Sequence, residues 1–481
     1  MTLDSAAGAL SRSGVRRAGD RFQDLQLWIA ALTVIRPHSP YIAVESEITG
    51  AGNLDDVVLR GAEPVNTLYT QVKWAANSAS AADDAFFTTS RGAGASLLQK
   101  LYRSYQALLP AGPPHMRLTS NRVPDPSHTL LGHIDGRTGF LNALTTRTSR
   151  SDKALHAWSE HLGIDVEELL SMLSRLQLQL GRNVAAEREL AAALMLAAGL
   201  EPTERALQDG LDIAERWILT GQRVIDAADV RATIARMPQL DPAAILSIQA
   251  IDNDPLAKEA DLALDWVHYF PGADPRSRVV PANQQDWTRM DGELSSAAAQ
   301  LEAAGERTLL IRGAMRQATF FRVGAALPRT RHTTLRYRQG AQLWDSETRP
   351  PSVFSLAPVS TLVGSGTDLA VVLGVTLDPT TAVLEHLRAT DTPVGQLLTV
   401  KPASPNDLAI DSPADAVSIA QQTIQLVRDA VDTSTSQVHL FLAGPGGLAL
   451  LLGHRWNRIP RTTVYEHTGG STYSPTFTIE G

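Results

Sequence analysis

Leu54-Asp-Asp-Val-Val-Leu-Arg60 and Leu68-Tyr-Thr-Gln-Val-Lys73 read as two adjacent strands with polar chemistry at their ends. β-Branched and aromatic residues favour a pleated surface. Residues two apart project from the same face of a strand, so Gln71 and Lys73 share one. The pair Asp55-Asp56 opens the apolar run Val57-Val58-Leu59 just ahead. Side by side, the two segments bring together a carboxylate, a carboxamide and an ammonium. The ammonium stands out, because the chain has 38 arginines and only five lysines: Lys73, Lys100, Lys153, Lys258 and Lys401. Where arginine is the default cation, a lysine invites a chemical reading.

That reading is metal-assisted phosphodiester hydrolysis. Such chemistry needs a cation to polarise a phosphoryl oxygen and to lower the pKa of a water. Mg²⁺ prefers oxygen donors and keeps several waters, so few protein ligands suffice. Asp56 is the candidate carboxylate ligand, with Asp55 as the alternative. Gln71 lies beside it, and Glu45 or Glu47, on one side of a strand expected at 41–48, supplies a further carboxylate. Lys73 orients the water or stabilises charge developing on the phosphate. A surface hairpin with a solvated lysine uses the same residues, so the pattern alone leaves both readings open.

Working outward, residues 1–16 read as a disordered leader. Residues 19–36 read as a helix with Phe22, Leu25, Leu27, Trp28 and Leu32 at helical spacing. The turn Gly50-Ala-Gly-Asn53 and strands near 56–60, 67–73 and 116–120 follow. The expected first domain is a small α/β unit over 17–150. Residues 151–255, with leucines at Leu162, Leu169, Leu170, Leu173 and Leu176, read as helical throughout, either a connector or an extension of that domain.

With Leu118-Thr-Ser-Asn-Arg122 closing the domain, the set Gly19-Asp-Arg-Phe-Gln-Asp-Leu25, Leu54-Asp-Asp-Val-Val-Leu59 and Tyr69-Thr-Gln-Val-Lys-Trp74 resembles the PD-(D/E)XK, restriction-endonuclease-like nucleases. In particular it is similar to the N-terminal nuclease of antiphage effectors that carry a SAVED sensor. The resemblance implies a catalytic core of Asp56, Gln71 and Lys73, with Asp55 as a neighbour and Mg²⁺, or Mn²⁺ in its place, as cofactor. Gln23 stands where related nucleases often have glutamate, which leaves the number of metal ions open.

The remainder, 256–481, returns to an α/β pattern from about residue 262. Thr308-Leu-Leu-Ile-Arg-Gly313 and Val438-His-Leu-Phe-Leu-Ala-Gly444 are each a strand ending in glycine and followed by a helical stretch. Leu369-Ala-Val-Val-Leu-Gly374 is a third such strand. The weak repeat suggests two related Rossmann-like halves. Between Arg307 and Arg338 there are eight arginines and no acid, with Phe320, Phe321 and Tyr337 interleaved and Trp344 nearby. Arginine forks suit phosphate and aromatic faces suit bases, although core aromatics and a solvated basic face explain the same residues. Gly444, Pro445 and Gly446 place a permissive turn between a buried strand and a helix N-terminus, where anions are favoured. Arg316, Lys401 and Trp344 complete the candidate ligand set. The turn is not GxGxxG and no acidic ribose partner follows, which disfavours a dinucleotide dehydrogenase.

The run from Val438 to His467, with Tyr473-Ser-Pro-Thr476, closely resembles the end of SAVED domains, which look like two fused CARF-type halves. The resemblance implies a sensor of cyclic oligonucleotides, a cyclic trinucleotide being favoured, made by a CD-NTase in a CBASS antiphage system. It further implies self-association on ligand binding and cleavage of double-stranded DNA. A nuclease acting on RNA or modified DNA, and a sensor that recruits a partner through an inactive nuclease fold, are the alternatives. At 481 residues, 43% apolar, the chain is long enough for two or three domains. A net charge of -8 argues against wholesale nonspecific coating of DNA. Without cysteine there is no disulfide or thiolate metal site. No signal peptide or membrane span is evident, so the expected location is the bacterial cytoplasm.

Overall fold

The computed structural model describes residues 12–46, 52, 54–63, 65–77, 80–90, 94–135, 138–340 and 342–481. The chain divides into two compact units, Met1–Pro242 and Ala243–Gly481. No helix among the described residues is long and apolar enough to cross a membrane.

The first unit is built on one mixed sheet. Its strands are β1 (Tyr41–Glu45), β2 (Val57–Gly61), β3 (Leu68–Lys73), β4 (His115–Ser120), β5 (Leu176–Gln179) and β6 (Val224–Asp226), in the order β5-β4-β3-β2-β1-β6. β2 runs antiparallel to β1 and β3, whereas β3, β4 and β5 are parallel. Helix α1 (Arg12–Ile35) packs on β1, β2 and β3 and carries the buried Phe22, Leu25, Trp28 and Leu32. It begins earlier than expected: residues 12–16 of the proposed leader are helical, while 1–11 lie outside the described residues. Glu47, Gly50, Ala51 and Asn53 also lie outside them.

The segment after residue 150 is not helical throughout. β5 and β6 extend both edges of the same sheet, with helices before, between and after them. These helices are α4 (Ser149–Leu162), α5 (Val166–Leu173), α6 (Val184–Ala197), α7 (Glu204–Leu219) and α8 (Ala227–Ile234). The short α2 (Asp84–Thr88) and α3 (Leu97–Leu108) precede them. Met116 and Leu118 of β4 and Leu176 and Leu178 of β5 join Leu101, Trp158, Leu169 and Met172 in one core. Register places Leu118 opposite Gln71, so the polar end of β3 emerges from the same face as this core.

The second unit starts at β7 (Ala244–Gln249), a fully buried strand within the stretch 151–255 that is expected to be helical. Its first half has β8 (Leu262–Asp265), α9 (Gln285–Ala303), β9 (Thr308–Arg312), α10 (Gln317–Ala326), β10 (Thr334–Gln339) and β11 (Gln342–Asp345). After the edge strand β12 (Ala357–Leu362), the second half repeats the pattern. It comprises β13 (Asp368–Gly374), α11 (Thr380–Ala389), β14 (Val394–Lys401), α12 (Pro413–Ala430), β15 (Val438–Ala443), α13 (Gly446–His454), β16 (Thr462–Gly469) and β17 (Thr472–Ile479). The sheets are β11-β10-β9-β7-β8 and β12-β14-β13-β15-β16-β17. Matching β7, β8, β9 and β10 to β13, β14, β15 and β16 gives the same parallel order in both, each closed by an antiparallel strand.

The repeat extends to side chains. α10 and α13 pack on each other through reciprocal glycines. A Cβ on Gly324 would strike the Leu450 carbonyl oxygen, and one on Gly453 would strike that of Phe321. At the other end of the pair, each helix N-terminus is capped from the opposite half. The Glu466 carboxylate accepts the Ala318 N–H at 3.0 Å, and the Gln339 amide oxygen accepts the Gly447 N–H at 3.1 Å. Each cap satisfies a backbone donor that has no partner within its own helix.

Candidate functional site

In the first unit the β2–β3 pairing does what the sequence pattern requires. Asp56 directly precedes β2, and its Oδ2 accepts the Val72 backbone N–H at 2.7 Å. The same oxygen accepts the Gln71 side-chain amide. Gln71 is buried, 3% exposed, and Lys73 is half-buried on the same face. Burial lifts the Asp56 carboxyl above its ordinary range; the Val72 N–H and the Lys73 charge counter this only in part, and Asp55 adds to it. The geometry thus joins Asp56, Gln71 and Lys73. Asp55 acts on Asp56 through its charge.

Two details differ from expectation. Both carboxylate oxygens of the buried Glu45 are taken by Arg60, at 2.7 and 2.8 Å, so Glu45 is committed to an ion pair rather than free for a metal. Gln71 presents its amide nitrogen to Asp56, whereas a ligand role needs the oxygen. Beyond β4, Asn121 clamps the chain that follows Lys73, accepting from the Ala75 N–H at 2.7 Å and donating to its carbonyl at 2.8 Å.

The residues fit a hard cation in outline. Asp56 Oδ1 accepts no hydrogen bond from the described residues, and its charged form is poorly solvated, so a cation would relieve it. Lys73 makes no ion pair with a described residue. Among the described residues no three His, Asp or Glu side chains converge to hold a metal. The donor set is therefore sparse, of the kind that leaves water in most positions of a Mg²⁺ shell. Gln23 is half-buried on α1 and hydrogen-bonds to none of these groups among the described residues.

In the second unit a cavity of about 500 Å³ opens at the carboxyl ends of β13, β15 and β16, against the β9–α10 turn. This is the crevice where open α/β sheets bind ligands. Arg316, Gln317, Asp378, Ala443, Glu466 and His467 line it. Arg316 is there, but its guanidinium is spent on the carbonyls of Pro275, Arg276 and Arg278, each at 3.0 Å. Lys401 reaches the site through an ion pair with Asp378. Burial pushes the Asp378 carboxyl up, but hydrogen bonds from Lys401 and Thr380 outweigh it and hold it low. Glu466 is enclosed, and burial pushes its carboxyl up to about 7. Neither Asp378 nor Glu466 is singled out by the sequence pattern; Glu466 stands between Tyr465 and His467 in its strand.

The glycine turn is placed as expected but works differently. The Gly444 carbonyl accepts the Gln317 side-chain amide, and Pro445 is the N-cap of α13. A Cβ on Gly446 would run into the Phe320 ring, and one on Gly447 would come within 2.7 Å of Trp344. The glycines thus serve close packing between the halves. Trp344, 3% exposed, is core and not a platform for a base, and Phe320 and Phe321 are core as well. The arginine run is also largely self-neutralised. Arg312, Arg322, Arg329, Arg331 and Arg336 pair with Asp254, Asp291, Glu347, Glu302 and Asp345.

Together these features define an α/β unit with a carboxylate–lysine strand end and a second unit of two Rossmann-like halves around a polar crevice. Residues 293–479, within the second unit, match the family model of SAVED, the SMODS-associated and fused to various effectors sensor domain. Over 501 aligned residues the chain is 23% identical to CD-NTase-associated protein 4 of Enterobacter hormaechei subsp. hoffmannii (strain UCI 50), covering 96% of this chain and 98% of that protein. Among solved structures, the Acinetobacter baumannii Cap4 SAVED/CARF-domain containing receptor with 3'3'3'-cAAA aligns at 15% identity and TM-score 0.45, covering 98% of this chain and 99% of that one. The same receptor with 2'3'3'-cAAA aligns at 15% identity and TM-score 0.46, covering 98% and 100%.

Proposed function

We propose that this chain is a CBASS antiphage effector: a metal-dependent double-stranded DNA endonuclease switched on when a cyclic oligonucleotide binds its SAVED domain and the subunits associate. The observation that carries the proposal is the convergence of Asp56, Gln71 and Lys73 at one strand end, in a chain whose other unit is a SAVED sensor. The relative matched over nearly its whole length is named for association with a CD-NTase, which supports a cyclic nucleotide as the signal.

In this reading Asp56, and Gln71 with its amide reversed, would hold Mg²⁺ or Mn²⁺. The ion, when bound, supplies Lewis acidity and an acidified water. Lys73 places its ammonium beside Asp56 and stabilises negative charge gathering on the scissile phosphate. Asn121 fixes the end of β3 and so the direction of Lys73. In the sensor, the cyclic oligonucleotide, a trinucleotide by preference, occupies the crevice beside Asp378, Lys401 and Glu466. Nicking of supercoiled plasmid by the full chain, with Mg²⁺ and a cyclic trinucleotide, tests this reading. Asp56→Asn should abolish the nicking and leave nucleotide binding intact.

A further inference from the structure

The crevice lies at the carboxyl ends of the parallel strands; a second polar cavity, of about 300 Å³, lies toward their amino ends. It is walled by the connection between α10 and β10, by α12, and by the residues after α13. Three of its lining residues are arginines, Arg329, Arg428 and Arg455, and none is acidic; Thr330, Gln421 and Asn457 add neutral donors.

The charges there are unevenly matched. Arg329 is neutralised by a bidentate pair with Glu347 at 2.9 and 3.0 Å. Arg428 and Arg455 have no carboxylate partner among the described residues. Arg428 donates to the Asn457 carbonyl at 2.9 Å and to its side-chain oxygen, while its Nε is buried with no acceptor. Arg455, 9% exposed, donates to the Leu451 carbonyl at 3.3 Å and to that of Ser346. These bonds go to the carbonyls of Leu451 in α13, of Ser346 after β11 and of Asn457 beyond α13, but each guanidinium has five N–H donors and only some are used. Burial, with the neighbouring Arg329 charge, holds Arg455 down to about 10. His454 beside it is held near 4 by burial and adds no charge at neutral pH. Arg428 thus faces the cavity with no carboxylate partner among the described residues, and the largely desolvated Arg455 is offset only through the charges of Glu347 and Asp345, which Arg329 and Arg336 already engage.

We propose that this cavity is a second anion site, distinct from the crevice, that takes a phosphate group. Guanidinium forks match phosphate oxygens bidentately. Converging arginines from three chain segments suit a tetrahedral dianion better than the two oxygens of a carboxylate. The phosphate comes as inorganic phosphate or as the phosphomonoester of a mononucleotide, and the chemistry is shared. The site does not depend on the nuclease reading or on which nucleotide the crevice accepts.

The test is calorimetric titration of the full chain with inorganic phosphate and, separately, with adenosine 5′-monophosphate, at ionic strength matched with chloride. The expected result is saturable binding of one phosphate per chain, weakened about tenfold or more in Arg428→Gln, where a charge-assisted donor is lost. Thermal melting is run alongside, because Arg455→Gln also loses a buried bond to Ser346 and risks misfolding; Arg428→Gln, at the cavity edge, carries the decision. Binding of adenosine monophosphate alone assigns the site to nucleotides, and equal binding of both assigns it to the phosphate group. No saturable binding of either by the wild-type chain, or undiminished binding by a folded Arg428→Gln, overturns the proposal.

Discussion

Asp56 Oδ2 accepts the Val72 backbone N–H at 2.7 Å, fastening the carboxylate to the strand that carries Gln71 and Lys73. The carboxylate proposed to bind metal and the ammonium proposed to act in catalysis are thereby fixed relative to each other by a main-chain bond, not by rotamer preference alone. Removing the lysine should leave this bond intact. Lys73→Ala is expected to fold normally, keep Mg²⁺ binding and lose about 10²–10³-fold in cleavage rate, the cost typical of losing a group that stabilises transition-state charge. Single-turnover cleavage, with circular dichroism as the folding control, checks it.

Metal affinity should rise with pH through the Asp56 titration. Burial raises this carboxyl, so protons compete with Mg²⁺ at higher pH than for an ordinary aspartate. Lys73 opposes that rise, and Lys73→Met is expected to move the Mg²⁺-binding curve to still higher pH. Calorimetric Mg²⁺ titrations across a pH series provide the check; a curve that stays put removes Lys73 from the electrostatics of the site.

Glu466 should make the stability of the second unit pH-dependent. Its folded carboxyl is raised from 4.5 to about 7, so between those values the unfolded chain releases a proton that the folded chain keeps. Stability therefore falls as pH rises through this window and levels off above it, a cost on the order of 3 kcal/mol. Glu466→Gln retains an acceptor for the Ala318 N–H and should flatten this dependence, with a higher melting temperature at pH 8. Asp24 on α1 is also raised to about 7, by burial and by Glu215, so the difference between wild type and variant is the readout. An identical pH profile in both would contradict the assignment.

The reciprocal glycines of α10 and α13 should be intolerant of a methyl group. Gly453→Ala would press a Cβ onto the Phe321 carbonyl oxygen, and backbone cannot move aside cheaply. A loss of about 1–3 kcal/mol in chemical denaturation is expected, as for other overpacked cores. Gly447→Ala, against the Trp344 ring, should likewise cost stability. Lost nucleotide binding with unchanged stability would instead make the turn a ligand contact.

What sequence could reveal here was local. The β2–β3 segments are legible because β-branched residues flank polar groups at strand-end positions, and the strand into Gly444 is legible as an apolar run ending in a glycine turn. β5 and β6, of four and three residues, are too short to stand out among helices. Ala244–Gln249 begins with alanine in an alanine-rich region, so its strand character is masked. The arginine run misled because its partners are distant in sequence: Asp254 and Asp291 precede Arg312 and Arg322, and Glu347 follows Arg329 from another strand end. Pairing of that kind is a property of the fold. The capping of Ala318 by Glu466 joins residues 148 positions apart and leaves no local signature.

The central claim, a nuclease centred on Asp56 and Lys73 and governed by the sensor, is tested most directly by plasmid cleavage with Mg²⁺. The full chain and its Lys73→Ala variant are each assayed with a panel of cyclic di- and trinucleotides and without nucleotide. The account predicts cleavage by the wild-type chain only with one cyclic nucleotide, and none by the variant although it binds that nucleotide equally well. Cleavage that ignores every nucleotide, or that survives in the variant, would contradict it.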